Sequence, residues 1–296
     1  MMRTYRRSAA VAFSLPLLLL AGCMFTTRKL PMPRPPLVTE TVTPAELVDR
    51  LNKSWEAFNS LTAKVEIQLS VLKQKEGLAK DYTSIRGQIV MRKPESLRVV
   101  GMYSVLGTRV FDMASDGKDF TVSIPILSRA YKGSNTSKHK SANQLENLRP
   151  AVFFDAMLVR GLDADDEFMV TSETLTVMDD AKKHLYLVPE YVLTIMRRKP
   201  GTKELTPVRV VRFHRNDLLP YQQDTYNGTG NIETQVIYED YREFDSSPYP
   251  SRITIKRPLE ELQIVLTVDD LKQNGKITDE QFQVKIPADT PVQNLE

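Results

Sequence analysis

The chain has 296 residues, 41% of them hydrophobic and 26% charged, which is enough to build a sizeable buried core. Its single cysteine excludes an intrachain disulfide framework and a cysteine-built metal site. The formal charge of +3 comes from 40 Lys and Arg against 37 Asp and Glu, and Arg3, Arg6 and Arg7 account for the excess. All three precede Cys23 in a stretch without any acid, so the rest of the chain is balanced and no nucleic-acid-binding surface is indicated.

Those first residues form a positive start, an apolar stretch from Ala9 to Leu20, and then Leu20-Ala21-Gly22-Cys23. The apolar run is shorter than the ~20 residues needed to cross a bilayer. Its pattern is that of a secretory signal peptide over residues 1–22, and Leu-Ala-Gly-Cys resembles the lipobox of bacterial lipoproteins. The expectation is cleavage before Cys23 and acylation of its thiol, which leaves no free thiol for catalysis. Residues 23–42 carry Pro31, Pro33, Pro35 and Pro36 and few core residues, so they are expected to form an extended, lipidated tether.

Residues 43–296 are read as one domain. Thr43-Pro44-Ala45-Glu46 predicts a helix start, with Thr43 as N-cap, Pro44 at the first position and Glu46 closing a capping box. Leu47, Leu51, Trp55 and Phe58 then form one apolar stripe that should cover something apolar in its own domain. From Ala63 the period changes to two: Ala63, Val65, Ile67, Leu69 and Val71 alternate with Lys64, Glu66, Gln68 and Ser70, a half-buried strand. Further strands are expected over 84–93, 97–103, 108–114 and 118–124, broken by Pro94, Leu106-Gly107 and Asp116-Gly117.

A polar stretch over 131–141 and a weak helical pattern over 141–148 follow. A stronger helix is predicted over 150–162, with Val152, Phe153, Phe154, Ala156, Met157, Leu158 and Val159 leaving almost no polar face. Such a helix is either wedged in the core or a lid over a lipid-sized cavity, where Met157 would supply an adaptable surface. Strand patterns then run over 168–177, 184–188, 191–198, 208–214, 219–224, 232–241, 252–256 and 262–268. Many short strands and few helices predict a mainly β fold.

Three stretches carry a family resemblance: Gly87 to Arg98, Tyr103 to Thr108, and Pro250 to Ile253 with Asp269, Asn274, Ile277, Asp279, Phe282 and Pro287. Together with the element order, they resemble the lipoprotein-localisation (LolA/LolB-like) fold family. The resemblance implies an unclosed antiparallel β-barrel whose apolar hollow is covered by an N-terminal helix and mid-chain helices. It also implies transport of lipidated proteins, with acyl chains held in the hollow. Leu106 takes the place of a protruding leucine with which the receptor members deliver lipid to the membrane, although Val105 stands where they have proline. Lys93 takes the place of an arginine that latches the lid in the carrier members, and an ammonium bonds less rigidly than a guanidinium fork. Met24 after Cys23, rather than the aspartate that retains family members in the inner membrane, implies the outer membrane, facing the periplasm.

No pattern for catalysis is present. His139, His184 and His214 are scattered, no Gly-x-Ser-x-Gly elbow occurs, and Asp163, Asp165, Asp166 and Glu167 lack the spacing of a known calcium site. The expectation is a non-enzymatic binding protein without cofactor. Alternate strand residues facing into a barrel make Ile67, Leu69, Ile89, Met91, Val99 and Val110 the candidate lipid-binding wall, with Trp55, Phe153 and Met157 from the covering helices. The expected partners are acyl chains of lipids or lipoproteins, the membrane through Cys23, and a periplasmic carrier or an envelope complex. The alternative is a structural lipoprotein that docks on such a complex, its hollow filled by its own side chains.

Overall fold

The computed structural model describes residues 39–73, 77–103, 107–135, 149–178 and 185–295. The signal peptide, Cys23, the tether up to residue 38, Leu106 and the weak helix over 141–148 lie outside the described residues. Backbone contacts divide the chain into one unit of Pro36–Leu175 with Val188–Glu296 and a second of Met1–Pro35 with Thr176–Leu187. The second contributes only the ends of two strands to the described residues, and the helices, cores and cavity belong to the first.

Helix α1 (Pro44–Ala57) begins as its sequence predicts. The Thr43 hydroxyl accepts from the Glu46 amide at 3.3 Å, and the Thr43 amide donates to the Glu46 carboxylate at 2.7 Å. A cap of this kind stabilises a helix by about 1 kcal/mol. The residues just before it are held on the domain rather than free: the Glu40 amide donates to the Arg215 carbonyl, and the Val42 amide to the Tyr191 hydroxyl.

The strands are β1 (Ser60–Lys73), β2 (Leu78–Asp81), β3 (Ile85–Arg92), β4 (Ser96–Met102), β5 (Arg109–Ser115), β6 (Asp119–Ile124) and β7 (Arg129–Ser134). After the short helix α2 (Ala151–Met157) come β8 (Asp166–Met178), β9 (Leu185–Arg198), β10 (Leu205–His214), β11 (Pro220–Tyr226), β12 (Ile232–Phe244), β13 (Ser247–Arg257), β14 (Leu262–Gln273) and β15 (Val292–Leu295). They form one fifteen-stranded, unclosed sheet in the order β15-β7-β6-β5-β4-β3-β1-β14-β13-β12-β11-β10-β9-β8, with β2 beside β1. The described pairings are antiparallel except that of β15 with β7. The fold is the expected mainly β, open barrel with two described helices.

The seam between β1 and β14 shows how sequence sets register. Leu262, Ile264, Leu266 and Val268 are buried on even positions, and Leu271 is buried on an odd one. The pairing shifts between Lys64 and Val65, so Asp269 is the extra residue that changes the phase. A bulge inserts one residue and re-aims those after it, and an exposed aspartate is a side chain that can occupy it without cost to the core.

Several details differ from the sequence expectation. β2, β7 and β15 are strands that no strong alternation marked, and Leu185–Arg198 forms one strand through Pro189 where two were expected. Helix α2 ends at Met157 rather than at residue 162, because the chain beyond it is bound in extended form. Leu158 has φ −140°, the Leu162 amide donates to the Asn52 side chain, and the Gly161 carbonyl accepts from Arg209 at 2.8 Å. Two side chains outside the helix, Asn52 and Arg209, thus compete with its last turn and win.

Two apolar cores result. The larger joins β1, β3, β4, β13 and β14 to Val152, Phe153, Phe154, Ala156 and Met157 of α2. The smaller packs Leu47, Val48 and Leu51 of α1 on Tyr191, Leu193, Ile195, Val211, Phe213 and Leu218. Each buried leucine there contributes about 1.5–3 kcal/mol. Helix α1 touches both, since Phe58 at its end belongs to the larger core.

Candidate functional site

Between the two cores lies a cavity of about 430 Å³. Its walls come from Leu47, Leu51 and Trp55 of α1 and Phe58 at its end, Met157 to Val159 at the end of α2, Phe213 and Leu218 to Pro220 around the β10–β11 turn, and Tyr238, Tyr241 and Tyr249 of β12 and β13. The volume falls within the range of ligand-binding clefts, about 300–1,000 Å³. Exposed Arg50, Ser54 and Pro248 mark the mouth. Arg50 is the charged residue among the lining side chains, and it is paired with Glu40 at 3.5 Å.

The stripe of α1 builds one wall because residues four apart share a helix face. That wall is held from behind by Lys93. Its ammonium donates to the Trp55 carbonyl and lies 3.5 Å from the Glu56 carbonyl and 4.3 Å from the centre of the Trp55 ring. A cation at the unpaired carbonyls of a helix C-terminus and over an indole face is favourable on both counts. Burial pushes the Lys93 ammonium below its ordinary pKa. The lysine in the latch position therefore does hold a covering helix, through carbonyls and a ring that need no guanidinium fork.

The opposite wall carries the three tyrosines. Tyr238 and Tyr241 are three apart, and an even strand would point them to opposite faces. Asp240 lies in the left-handed region at φ 54°, and both tyrosines line the same cavity. The Tyr241 hydroxyl donates to the Pro220 carbonyl at 2.6 Å, and that of Tyr249 to the Met157 carbonyl at 2.7 Å. The Tyr238 hydroxyl is buried and has no hydrogen-bond partner among the described residues. Burial raises all three phenols well above their usual pKa, so each stays a proton donor.

Beside this wall is a charged cluster. Arg160 bonds both Asp155 and Glu95 at 2.8 Å, and Arg209 is bound to the Gly161 carbonyl. Burial raises the Asp155 carboxyl and lowers the Arg209 guanidinium, each partly opposed by the neighbouring opposite charges. Two cations face two carboxylates, so the cluster has no net charge.

Comparison with solved structures finds this fold elsewhere. The chain matches a LolA superfamily protein from Nitrosomonas europaea at TM-score 0.51 and 15% identity, over 82% of this chain and 99% of that one. The chain has a LolA/LolB-like fold. It matches a DUF1329 family protein from Desulfovibrio piger equally well, at TM-score 0.51 and 14% identity over 80% of this chain and 95% of that one. No family profile matches the sequence, and no curated protein does. Identity at this level carries the fold and not the activity.

Within that LolA-like sheet the expected wall residues divide. Only Trp55 and Met157 among them line the cavity. Ile67, Ile89, Met91, Val99 and Phe153 are buried in the larger core, and Leu69 and Val110 pack against it half-buried. They face the interior as alternation requires, but α2 and their own neighbours occupy the space they were expected to line. Of the two readings of α2, the wedge describes most of the helix, and only its end reaches the cavity. Phe213, Leu218 and the tyrosines were not anticipated, because a turn and an irregular strand bring them together. Cys23 and Leu106 lie outside the described residues.

The acidic run near residue 165 is engaged in ion pairs: Arg197 holds Asp163 and Asp166, and Arg198 holds Glu167. Among the described residues, no group of His, Cys, Asp or Glu is arranged to hold a metal ion, and no helix is long and apolar enough to cross a membrane.

Proposed function

We propose that this chain is a non-enzymatic, lipid-anchored envelope protein that binds acyl chains of lipids or lipoproteins in the cavity beneath α1 and helps deliver them to the outer membrane. The observation that carries the reading is the cavity itself. It is apolar along α1 and the β10–β11 turn, reaches the surface beside exposed Arg50, Ser54 and Pro248, and sits in a fold shared with a protein of the LolA superfamily. An acyl chain entering it would gain about 0.8 kcal/mol for each CH₂ removed from water. The anchor in this reading is Cys23, with residues 24–38 as its tether, and a periplasmic carrier or an envelope complex is the protein partner. Glu40 to Val42 attach beside the smaller core, whose Leu47, Leu51, Phe213 and Leu218 are also cavity wall, so a tether leaving there starts near the cavity.

The test is photo-crosslinking of the lipidated protein in liposomes with a diazirine-bearing palmitoyl lipid, followed by mapping of the labelled peptides. Label on α1, on Leu158 to Val159 or on the tyrosine strands supports the reading. A second reading, a structural lipoprotein with a filled hollow, is favoured by the close packing of Ile67, Ile89, Met91 and Val99 in the larger core. It predicts no saturable labelling at all.

A further inference from the structure

The walls of the cavity are tied to one another by hydrogen bonds. At the C-terminal end of α1, Asn274 donates to the Ala57 carbonyl at 3.0 Å and accepts from the Asn59 amide at 2.7 Å, and Lys93 holds the Trp55 carbonyl. Along the helix Asn52 accepts from the Leu162 amide at 2.9 Å, and just before its start the Val42 amide donates to Tyr191. The tyrosine wall is tied to two other lining residues, through Tyr241 to Pro220 and Tyr249 to Met157. Widening the cavity would break several of these bonds at once, so its volume of about 430 Å³ is set by the fold. That volume has a definite capacity. A cavity of about 150 Å³ holds one benzene molecule with its six carbons, so about 430 Å³ holds roughly 17 carbons at the same density. One palmitoyl or stearoyl chain fills it. A second chain would have to go elsewhere, and two places are unsuited. Ile89, Met91, Leu97 and Val99 are packed with Phe153 and Phe154 of α2 and leave no room. A second cavity, between the β5–β6 turn and the segment from Asp279 to Val284, carries Arg92, Asp116, Asp119 and Asp279 on its walls, and charges of that density disfavour hydrocarbon.

We propose that the cavity is a single-chain site: it takes one acyl chain of up to about 17 carbons and selects ligands that carry one chain over those that carry two or three. This inference rests on the acyl-binding reading above and names the class of ligand, a monoacyl lipid or a singly acylated protein. The physical basis is that a chain left in water forfeits about fourfold in affinity for each CH₂. A diacyl or triacyl ligand that leaves a bilayer for this cavity strands at least one whole chain.

The test uses the lipidated protein in nanodiscs of dioleoylphosphatidylcholine, photolabelled with diazirine-bearing palmitoyl lysophosphatidylcholine and weighed by mass spectrometry. One label per protein is expected at saturation. Saturated lysophosphatidylcholines from lauroyl to stearoyl, at equal bilayer fraction, should compete alike, because cavity and bilayer both bury their whole chain. From arachidoyl to behenoyl the bilayer still buries each added CH₂ and the cavity does not, so competition should weaken by up to about fourfold per carbon. A cysteinyl peptide with one palmitoyl chain should also compete, and its tripalmitoylated form and dipalmitoylphosphatidylcholine should each compete at least about tenfold less than their single-chain counterparts. The lysolipid and peptide arms carry the same chain on a lipid and on a protein, and the stronger competitor identifies its source. Leu158→Trp, which adds a ring to the cavity wall, should move the break to shorter chains by about two or more carbons. Two or more labels per protein, or behenoyl competing as well as palmitoyl, overturns the single-chain assignment while leaving acyl binding intact, and both are read on the wild type. A break that stays in place in folded Leu158→Trp overturns it as well. No saturable label overturns both readings.

Discussion

The inner face of this sheet is closed in one region and open in another. Around β1, β3, β4 and α2 the interior is packed solid: Ile89, Met91, Leu97 and Val99 are essentially without exposed surface, as are Phe153 and Phe154 above them. Paired Gly87 and Gly101 help to close it. A Cβ at Gly87 would meet Ile67 at 2.6 Å, and one at Gly101 would meet Phe111 at 2.6 Å, so larger neighbours lean into the room the glycines leave. Beneath α1 and beside β10 to β13 the same inward alternation leaves about 430 Å³ unfilled. The difference lies in the covering helices. Helix α2 is apolar nearly all round and fills what it covers, whereas α1 offers one stripe and spans a gap.

The largest effect is expected from attacking the closed region. Phe153→Ala should cost about 3–5 kcal/mol of stability, as deletion of a buried ring does in a core that collapses only partly. A thermal melt measures it. Binding of an acyl probe at a temperature where the variant is still folded should be nearly unchanged, since Phe153 is not among the cavity walls. An unaltered melt would show that the region is not the packed core described.

The opposite outcome is expected in the open region. Leu158 is half-buried and lines the cavity. Leu158→Glu places a carboxylate where it can still reach water, so the melt should shift by only a few degrees. Affinity for an acyl probe should fall by at least about tenfold, since burying that charge beneath a ligand is strongly unfavourable. A variant that binds as the wild type does would mean that the ligand, if any, sits elsewhere.

The smallest effect sharpens the outer edge of the open region, where His214 of β10 stacks on Tyr221 with ring centroids 4.2 Å apart. Tyr221 and Arg212 in turn bond the fully buried Glu190. Burial lowers the His214 pKa, with Asp217 and Glu190 opposing, so the folded protein holds the imidazole neutral more readily than the unfolded chain does. The unfolded state therefore binds more protons, and stability falls as pH drops below about 6.5, levelling off below the lowered folded pKa. Melting temperatures between pH 5 and 8 should show this shallow fall in the wild type and a flatter profile in His214→Phe, which keeps a ring on Tyr221. Parallel profiles would place the pH dependence on other groups.

Much of this architecture was legible before any coordinates, because it rests on local chemistry. The Thr43–Glu46 capping box marks the start of α1 within its own few residues, and the alternation from Ala63 to Val71 marks a half-buried strand. The Leu47–Leu51–Trp55–Phe58 stripe identifies a covering helix, three of whose four residues are more than nine-tenths buried. Alternation even names the residues that face inward, and Ile67, Ile89, Met91 and Val99 all do. What alternation cannot convey is which other part of the chain meets them there. That was decided by α2, some 50 to 90 residues further on, filling one region and stopping at Met157 because Asn52 and Arg209 bind the chain beyond it. The same holds for the cavity, where the left-handed residue Asp240 within β12 and the β10–β11 turn bring Tyr238, Tyr241 and Leu218 to one cavity with α1. A periodic pattern records the face on which a side chain lies, whereas a hollow exists only where two distant faces meet without filling the space between them.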